Sequence, residues 1–343
     1  MTSKRIYAFD FLNIFSCISV VALHCNSVYH GYSHSASWIY SAIIQVLFFC
    51  AVPNFFMLTG STLLNYRERY STKLFFTKRF KRVLIPYFFF SVILILLQTL
   101  LNLKNNIPFN LKSFIRGGVI SMLTGNLPFA EIYWFFIPLL MVYLLLPILS
   151  IFTSNSSKIL QLYFILILIF FQSIWPLAMY FFHLPQLYFP VGGYVLYVLL
   201  GWYLTEYKLE ENKIFLIAIG ILAIACFGLR LFFILKYAYS HIPILQDYFA
   251  LYSLIPSIAL FTYAKKFLGK NEKHLKFYNF VSVLSGLSFG VYLIHMFFIK
   301  IIGKYFGYEN FYLQTIGVLA IYIVCCCIVY ITKKIKFLRW IFP

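Results

Sequence analysis

The sequence predicts an all-α fold: a polytopic membrane helix bundle of about ten transmembrane helices, with N- and C-termini both cytoplasmic. Three observations carry that expectation. Of 343 residues, 62% are hydrophobic and only 11% charged, too little polar surface to enclose a water-soluble core of this size. Apolar stretches of roughly 20 residues, the length that crosses a bilayer, recur from end to end. The basic residues are shared unevenly between alternate loops.

The apolar stretches centre near Cys17, Phe48, Ile93, Met141, Leu166, Val195, Ala223, Pro256, Leu287 and Ile321. None shows the alternation of a barrel strand, and a helix satisfies its own backbone hydrogen bonds in lipid. The first stretch carries Asp10 and has no small-residue cleavage pattern before His30, so it reads as a retained span rather than a secretory signal.

With loops numbered alternately from the N-terminus, one side holds Lys4 and Arg5, seven basic residues from Arg67 to Arg82, then Lys158, Lys208 and Lys213. It also holds five from Lys265 to Lys276 and four from Lys333 to Arg339, 21 in all. The other side holds six, Lys104, Lys112, Arg116, Lys236, Lys300 and Lys304, while Arg230 sits inside a span. Cationic short loops stay in the cytoplasm, which sets the orientation. The net charge of +19 is thereby explained by topology and contact with anionic membrane lipids, and no nucleic-acid partner is expected. The longest external loop, 104–130, contains Gly117, Gly118, Gly125 and Pro128 and is too short for a separate domain.

The cysteines at positions 17, 25, 50, 226, 325, 326 and 327 fall within or at the ends of predicted helices without metal-type spacing. The run from Cys325 to Cys327 reads as inert helix surface, and no metal site is expected. His30, His34, His183 and His241 fall in external loops and His274 in a cytoplasmic one, and none is assigned a function.

Ionisable groups inside a membrane are costly, so Asp10, His24, Arg230 and His295 are the candidates for function. At 1.5 Å per residue, His24 lies roughly 27 Å along the first helix, His295 roughly 26 Å along the ninth and Arg230 roughly 25 Å beyond Lys213 along the seventh. Three costly groups thus share the outer third of the bilayer. Glu131, at the external start of the fourth helix, would add a carboxylate able to orient a histidine or neutralise Arg230, completing an acid/base site. The competing reading is structural: Arg230 snorkels outward and each histidine hydrogen-bonds a neighbouring helix. Asn13 and His24 share one face of the first helix, roughly 16 Å apart in depth, so they line a path rather than one compact site.

The opening YAFDFLNIFSCISVVALH, Tyr7 to His24, resembles the first helix of the acyltransferase 3 family of bacterial membrane proteins. That helix typically carries an aspartate, an arginine and, eleven residues after the arginine, a histidine. His24 falls on the histidine; Asn13 stands at the arginine position, where only neutral amide hydrogen bonding is on offer. Phe55, Phe56, Thr59 and Gly60 are similar to the family's FF-x-x-S/T-G stretch, and Arg79 and Arg82 in KRFKRVLIPY match its R-x-x-R motif ahead of Pro86. YWFFIPLLMVYLLLP, Tyr133 to Pro147, resembles the fourth-helix signature with Ile132 in place of a frequent histidine, and SFGVYLIH, Ser288 to His295, is a close match.

The resemblance covers nearly the whole chain and implies one acyltransferase 3-like transmembrane domain over residues 1–343. It also implies O-acyl transfer, usually of acetyl, from cytoplasmic acetyl-CoA or another acyl-CoA to a hydroxyl of an extracytoplasmic or lipid-linked polysaccharide. The expected setting is the bacterial plasma membrane, with other polysaccharide-assembly proteins as further partners and no bound cofactor. On that reading His24 and Glu131 are catalytic, His24 as general base or acyl carrier. Asn13, Arg79 and Arg82 bind the donor, two arginines one turn apart suiting the phosphates of coenzyme A. Arg230, His295 and Trp134 hold the acceptor or the developing oxyanion. A polysaccharide or lipid-linked sugar exporter of the same fold fits the Asn13 to His24 path and a buried Arg230 equally well. A polymerase fits less well, since the 104–130 loop is small for holding a growing chain.

Overall fold

The computed structural model describes residues 6–33, 35–184, 192–237, 247–269 and 275–342, with the side chains of residues 275 and 276 left aside. Lys4, Arg5, His34, His241, Lys270, Lys273 and His274 lie outside the described residues. Within them the chain is helical, and the one pairing of β type is an isolated bridge between Leu127 and Ala130.

The helices run in the order α1 (Tyr7–Cys25), α2 (Ala36–Phe48), α3 (Ala51–Leu63), α4 (Thr72–Arg79), α5 (Ile85–Lys104), α6 (Leu111–Thr124), α7 (Phe136–Asn155) and α8 (Lys158–Ile169). They continue with α9 (Trp175–Phe181), α10 (Val195–Glu206), α11 (Lys213–Lys236), α12 (Leu251–Leu268), α13 (Leu275–Phe306), α14 (Phe311–Gln314) and α15 (Ile316–Lys334). Each of the ten expected span centres falls in one of these helices or, for Phe48, at the α2–α3 junction. Among the described residues eight helical runs are long and apolar enough to cross a membrane. The two others are α10, too short at 12 residues or about 18 Å, and α12, whose apolar character is diluted by Ser253, Ser257, Thr262, Lys265 and Lys266.

Prolines account for three breaks inside the spans. Pro53 has no N–H to offer the carbonyl of Phe49 and its ring crowds that carbonyl, and the α2–α3 break falls at Phe49 and Cys50. Pro86 likewise cannot bond Arg82, and residues Phe80–Leu84 widen into a π turn. Pro176 cannot bond Gln172, and Phe170–Ile174 makes a second π turn at the same offset.

The centre of the bundle is closed by backbone-close packing of α3 on α10. A Cβ on Gly60 would stand 1.8 Å from the Val198 carbonyl oxygen, and one on Gly201 would stand 2.1 Å from that of Met57. Only glycine lets the two helices approach so far, and all of Val195 to Leu204 is buried as a result. At the cytoplasmic end, Lys265 of α12 pairs with Glu210 at 3.0 Å and donates to the Leu204 carbonyl, tying down the loop after α10.

Two sequence expectations are corrected. Cys325 and Cys326 are buried against the bundle and only Cys327 faces outward, because three consecutive residues fan over about 200° of a helix, too wide an arc for one surface. The 104–130 loop is largely the helix α6, capped by the Asn110 side chain accepting from Ser113 N–H at 2.9 Å and ended by Gly125 at φ 71°.

Candidate active site

Helices α1 and α13 lie side by side in register. At the inner level the Asn13 amide donates to the Ser285 carbonyl at 2.9 Å and to its hydroxyl oxygen at 3.0 Å. One turn further out the Cys17 thiol donates to the Ser288 carbonyl at 3.5 Å. At the outer level the imidazole rings of His24 and His295 lie with centroids 5.6 Å apart. Of the three costly groups expected at one depth, His24 and His295 are thus in ring contact, and Arg230 lies elsewhere.

The outer end of α1 is held by a buried polar network. Gln45 of α2 donates to the Leu23 carbonyl at 2.9 Å, and Asn26 donates to the carbonyls of Ala22 and Gln314 while accepting from the Ser41 hydroxyl. These bonds anchor the residues on either side of His24 without touching its ring. Among the described residues no hydrogen bond to the His24 ring nitrogens is found, and the side chain is half-buried.

His295 is fully buried and fixed. Its Nδ1 lies 3.1 Å from the Val291 carbonyl and 2.9 Å from that of Tyr292, and because carbonyls only accept, Nδ1 carries the proton. Two tyrosines clamp the same turn: Tyr292 donates to the Ile132 carbonyl at 2.6 Å, and Tyr133 donates to the Leu293 carbonyl at 3.0 Å. The segment ahead of α7 and the outer half of α13 are thereby locked together.

Inward from the histidines runs a cavity of about 430 Å³ between α1, α3, α7 and α13. Arg69, Arg79 and Arg82 line it, as do Asp10, Asn13, Thr59, Tyr143, Ser285 and Tyr292. Tyr292 also packs edge-on against His295, centroids 5.7 Å apart, so one residue borders both the cavity and the imidazole pair. Arg79 spreads its guanidinium near the Phe75 and Tyr143 rings, and the π turn that follows carries Arg82 on the cavity wall. All three expected donor residues, Asn13, Arg79 and Arg82, therefore open on one space. Arg69, Ser285 and Tyr292 join them. Sequence reading counted Arg69 only among the topogenic cations and passed over Tyr292 inside a quoted motif.

The other expected residues sort differently. Arg230 is buried with its guanidinium 4.1 Å from the centre of the Phe49 ring, which stacks on Tyr248 at 4.4 Å; Tyr248 stacks in turn on Trp134 at 5.7 Å. Arg230 and Trp134 thus belong to one aromatic stack, made possible by the proline break that presents Phe49. Glu131 departs from expectation. Its side chain is 62% exposed and its carboxylate is engaged by Lys300 at 2.7 Å, so it orients neither histidine and does not neutralise Arg230. The reason is its place at the outer rim, where Lys300, five residues beyond His295 on α13, is the nearer cation.

The site thus joins an arginine-lined polar cavity, reaching as far as Tyr292, to a pair of histidines on the far side of that ring. The acyltransferase 3 family model, described as an acyltransferase domain, matches residues 6–332. The chain belongs to this family. It is a multi-pass membrane acyltransferase. No curated protein and no solved structure matches it significantly. In this acyltransferase the place of the family arginine on the first helix is taken by Asn13, whose amide is committed to Ser285 while the cavity's guanidinium groups come from Arg69, Arg79 and Arg82.

Proposed function

We propose that the protein is an O-acyltransferase of the bacterial plasma membrane. It takes an acyl group, acetyl in the first instance, from cytoplasmic acyl-CoA and passes it to a hydroxyl of an extracytoplasmic or lipid-linked polysaccharide. The observation that carries this reading is the adjacency of the arginine-lined cavity to the His24–His295 pair, with Tyr292 lining the one and packing on the other. The basic loops put the arginines on the cytoplasmic side and the histidines toward the outside, so a donor and an acceptor can reach the pair from opposite faces.

Arg69, Arg79 and Arg82 present planar guanidinium groups to the phosphates of the donor. The acyl thioester then extends along the wall formed by Asn13 and Ser285. His24, with ring nitrogens uncommitted among the described residues, attacks the thioester carbon through its lone pair. The carbon–sulfur bond breaks, coenzyme A leaves as the thiol with the proton of the other His24 nitrogen, and an acyl-imidazole remains. Trp134 and its aromatic stack, with Arg230 behind it, offer apolar faces for a sugar ring on the outer side.

The test is glycan composition by NMR in wild-type, deletion and His24→Ala-complemented strains of the source bacterium. Loss of O-acyl signals in both mutants at unchanged polymer amount is expected. Unchanged acylation with polymer missing from the surface would replace this reading with an exporter.

A further inference from the structure

We propose that His295 is the general base of the second half-reaction: its Nε2 takes the proton from the acceptor hydroxyl while His24 carries the acyl group. The inference rests on the acyl transfer proposed above and divides its chemistry between the two rings.

Three observations separate their roles. First, the two carbonyls at Nδ1 fix the His295 tautomer, which leaves Nε2 as a bare lone pair. A neutral ring held this way cannot donate from Nε2, so it cannot serve as an oxyanion donor; it can accept a proton. Second, that Nε2 is buried with no hydrogen-bond partner among the described residues. An acceptor atom stripped of water and left unpaired is costly, and an incoming hydroxyl supplies the missing donor. Third, the ring lies 5.6 Å from that of His24, centroid to centroid, so the two imidazoles are close enough to act on one acyl carbon. When Nε2 gains the proton, the same two carbonyls face the Nδ1–H of the resulting imidazolium, as an orienting acceptor does behind any catalytic histidine.

The balance closes without a further reactant. The hydroxyl proton passes to His295 Nε2 and the oxygen pair forms the new C–O bond at the acyl carbon. The carbon–nitrogen bond to His24 breaks, its electron pair returns to the imidazole, and the proton on His295 passes to that nitrogen. Ester and two neutral histidines result. The first half-reaction does not share this need, because a thiol with a pKa of about 8.5 departs without a base, whereas a hydroxyl is far less acidic.

The test uses the full chain purified in detergent and loaded with [1-14C]acetyl-CoA, as wild type, His24→Ala and His295→Gln. Label bound to protein is separated from excess donor, then followed in buffer, where water is the hydroxyl nucleophile, and in neutral hydroxylamine, which needs no base. We expect no label on His24→Ala, and label on both wild type and His295→Gln. In buffer the His295→Gln label should outlast that of wild type by about 10²–10⁴-fold, the usual worth of a general base, while hydroxylamine discharges both at similar rates. Equal survival in buffer overturns the assignment. Slow discharge to hydroxylamine as well makes His295 a packing residue. Absence of label from wild type overturns the division of roles. In that case release of free coenzyme A thiol in source membranes, which supply the native acceptor, tells whether the acyl-CoA reading stands without it.

Discussion

The inner and outer ends of the α1–α13 seam are built on opposite plans. At the inner end Asn13 is satisfied twice over by Ser285. At the outer end two imidazoles meet with one side of His295 bound to its own helix and no hydrogen bond to His24 among the described residues. The same two helices, in the same register, thus carry a satisfied polar pair at one depth and an unsatisfied one at another. In a medium that offers no water, leaving a polar group unpaired is expensive, so the unsatisfied end is where a ligand is expected to complete the site.

The sharpest way to break this contrast is at the outer end. His24→Ala should lower O-acyl transfer by more than about 10³-fold, as loss of a nucleophile does, with little change in melting temperature; a comparable loss of stability instead would make His24 structural. Next is the wall behind the inner end, where Gly201→Ala drives a Cβ against the Met57 carbonyl. It should cost about 3 kcal/mol or more, visible as lost monodisperse protein or a lower thermal midpoint. The Arg79→Ala, Arg82→Ala double variant should raise KM for acyl-CoA by about 10–100-fold at nearly constant kcat, since charge-assisted hydrogen bonds are worth about 1.5–3 kcal/mol.

Asn13→Ala sharpens the comparison from the satisfied side. Loss of its bonds to Ser285 should cost about 1–2 kcal/mol of stability in a melting curve, and an unchanged donor KM would mark Asn13 as purely structural. The smallest effect belongs to Glu131→Gln. An exposed pair with Lys300 is worth at most about 1 kcal/mol, so both melting and acyl transfer should stay near wild type; a large loss of transfer would return Glu131 to the chemistry.

Much of the site was legible because cost is legible. His24 and His295 stood out as ionisable groups in apolar runs, and a rise of 1.5 Å per residue was enough to set them at one level. Arg79 and Arg82 were visible as a pair, but not the cavity they share with Arg69, which a loop of seven cations conceals. Glu131 was placed with the histidines because it is the carboxylate at the right depth. Depth says nothing of azimuth, and around the rim Lys300 is its partner. Helix α6 was missed although Asn110 and Gly125 bracket it as caps, because Gly117 and Gly118 in its middle read as loop. The place of α10 was not legible either, since its closeness to α3 depends on Gly60 facing the Val198 backbone and Gly201 facing that of Met57.

What the sequence by itself determined is the solvent, the direction and the expensive residues: lipid around an all-helical chain, cations to the cytoplasm, and histidines held inside apolar spans. Those follow from composition and one-dimensional spacing, which a helix converts directly into depth. Only the tertiary structure decided which of those residues touch, which nitrogen of His295 keeps its proton, and that the arginine-lined cavity ends at Tyr292. Contacts across helices depend on rotation about each helix axis and on how closely backbones approach. Neither quantity is written in any one segment of the chain.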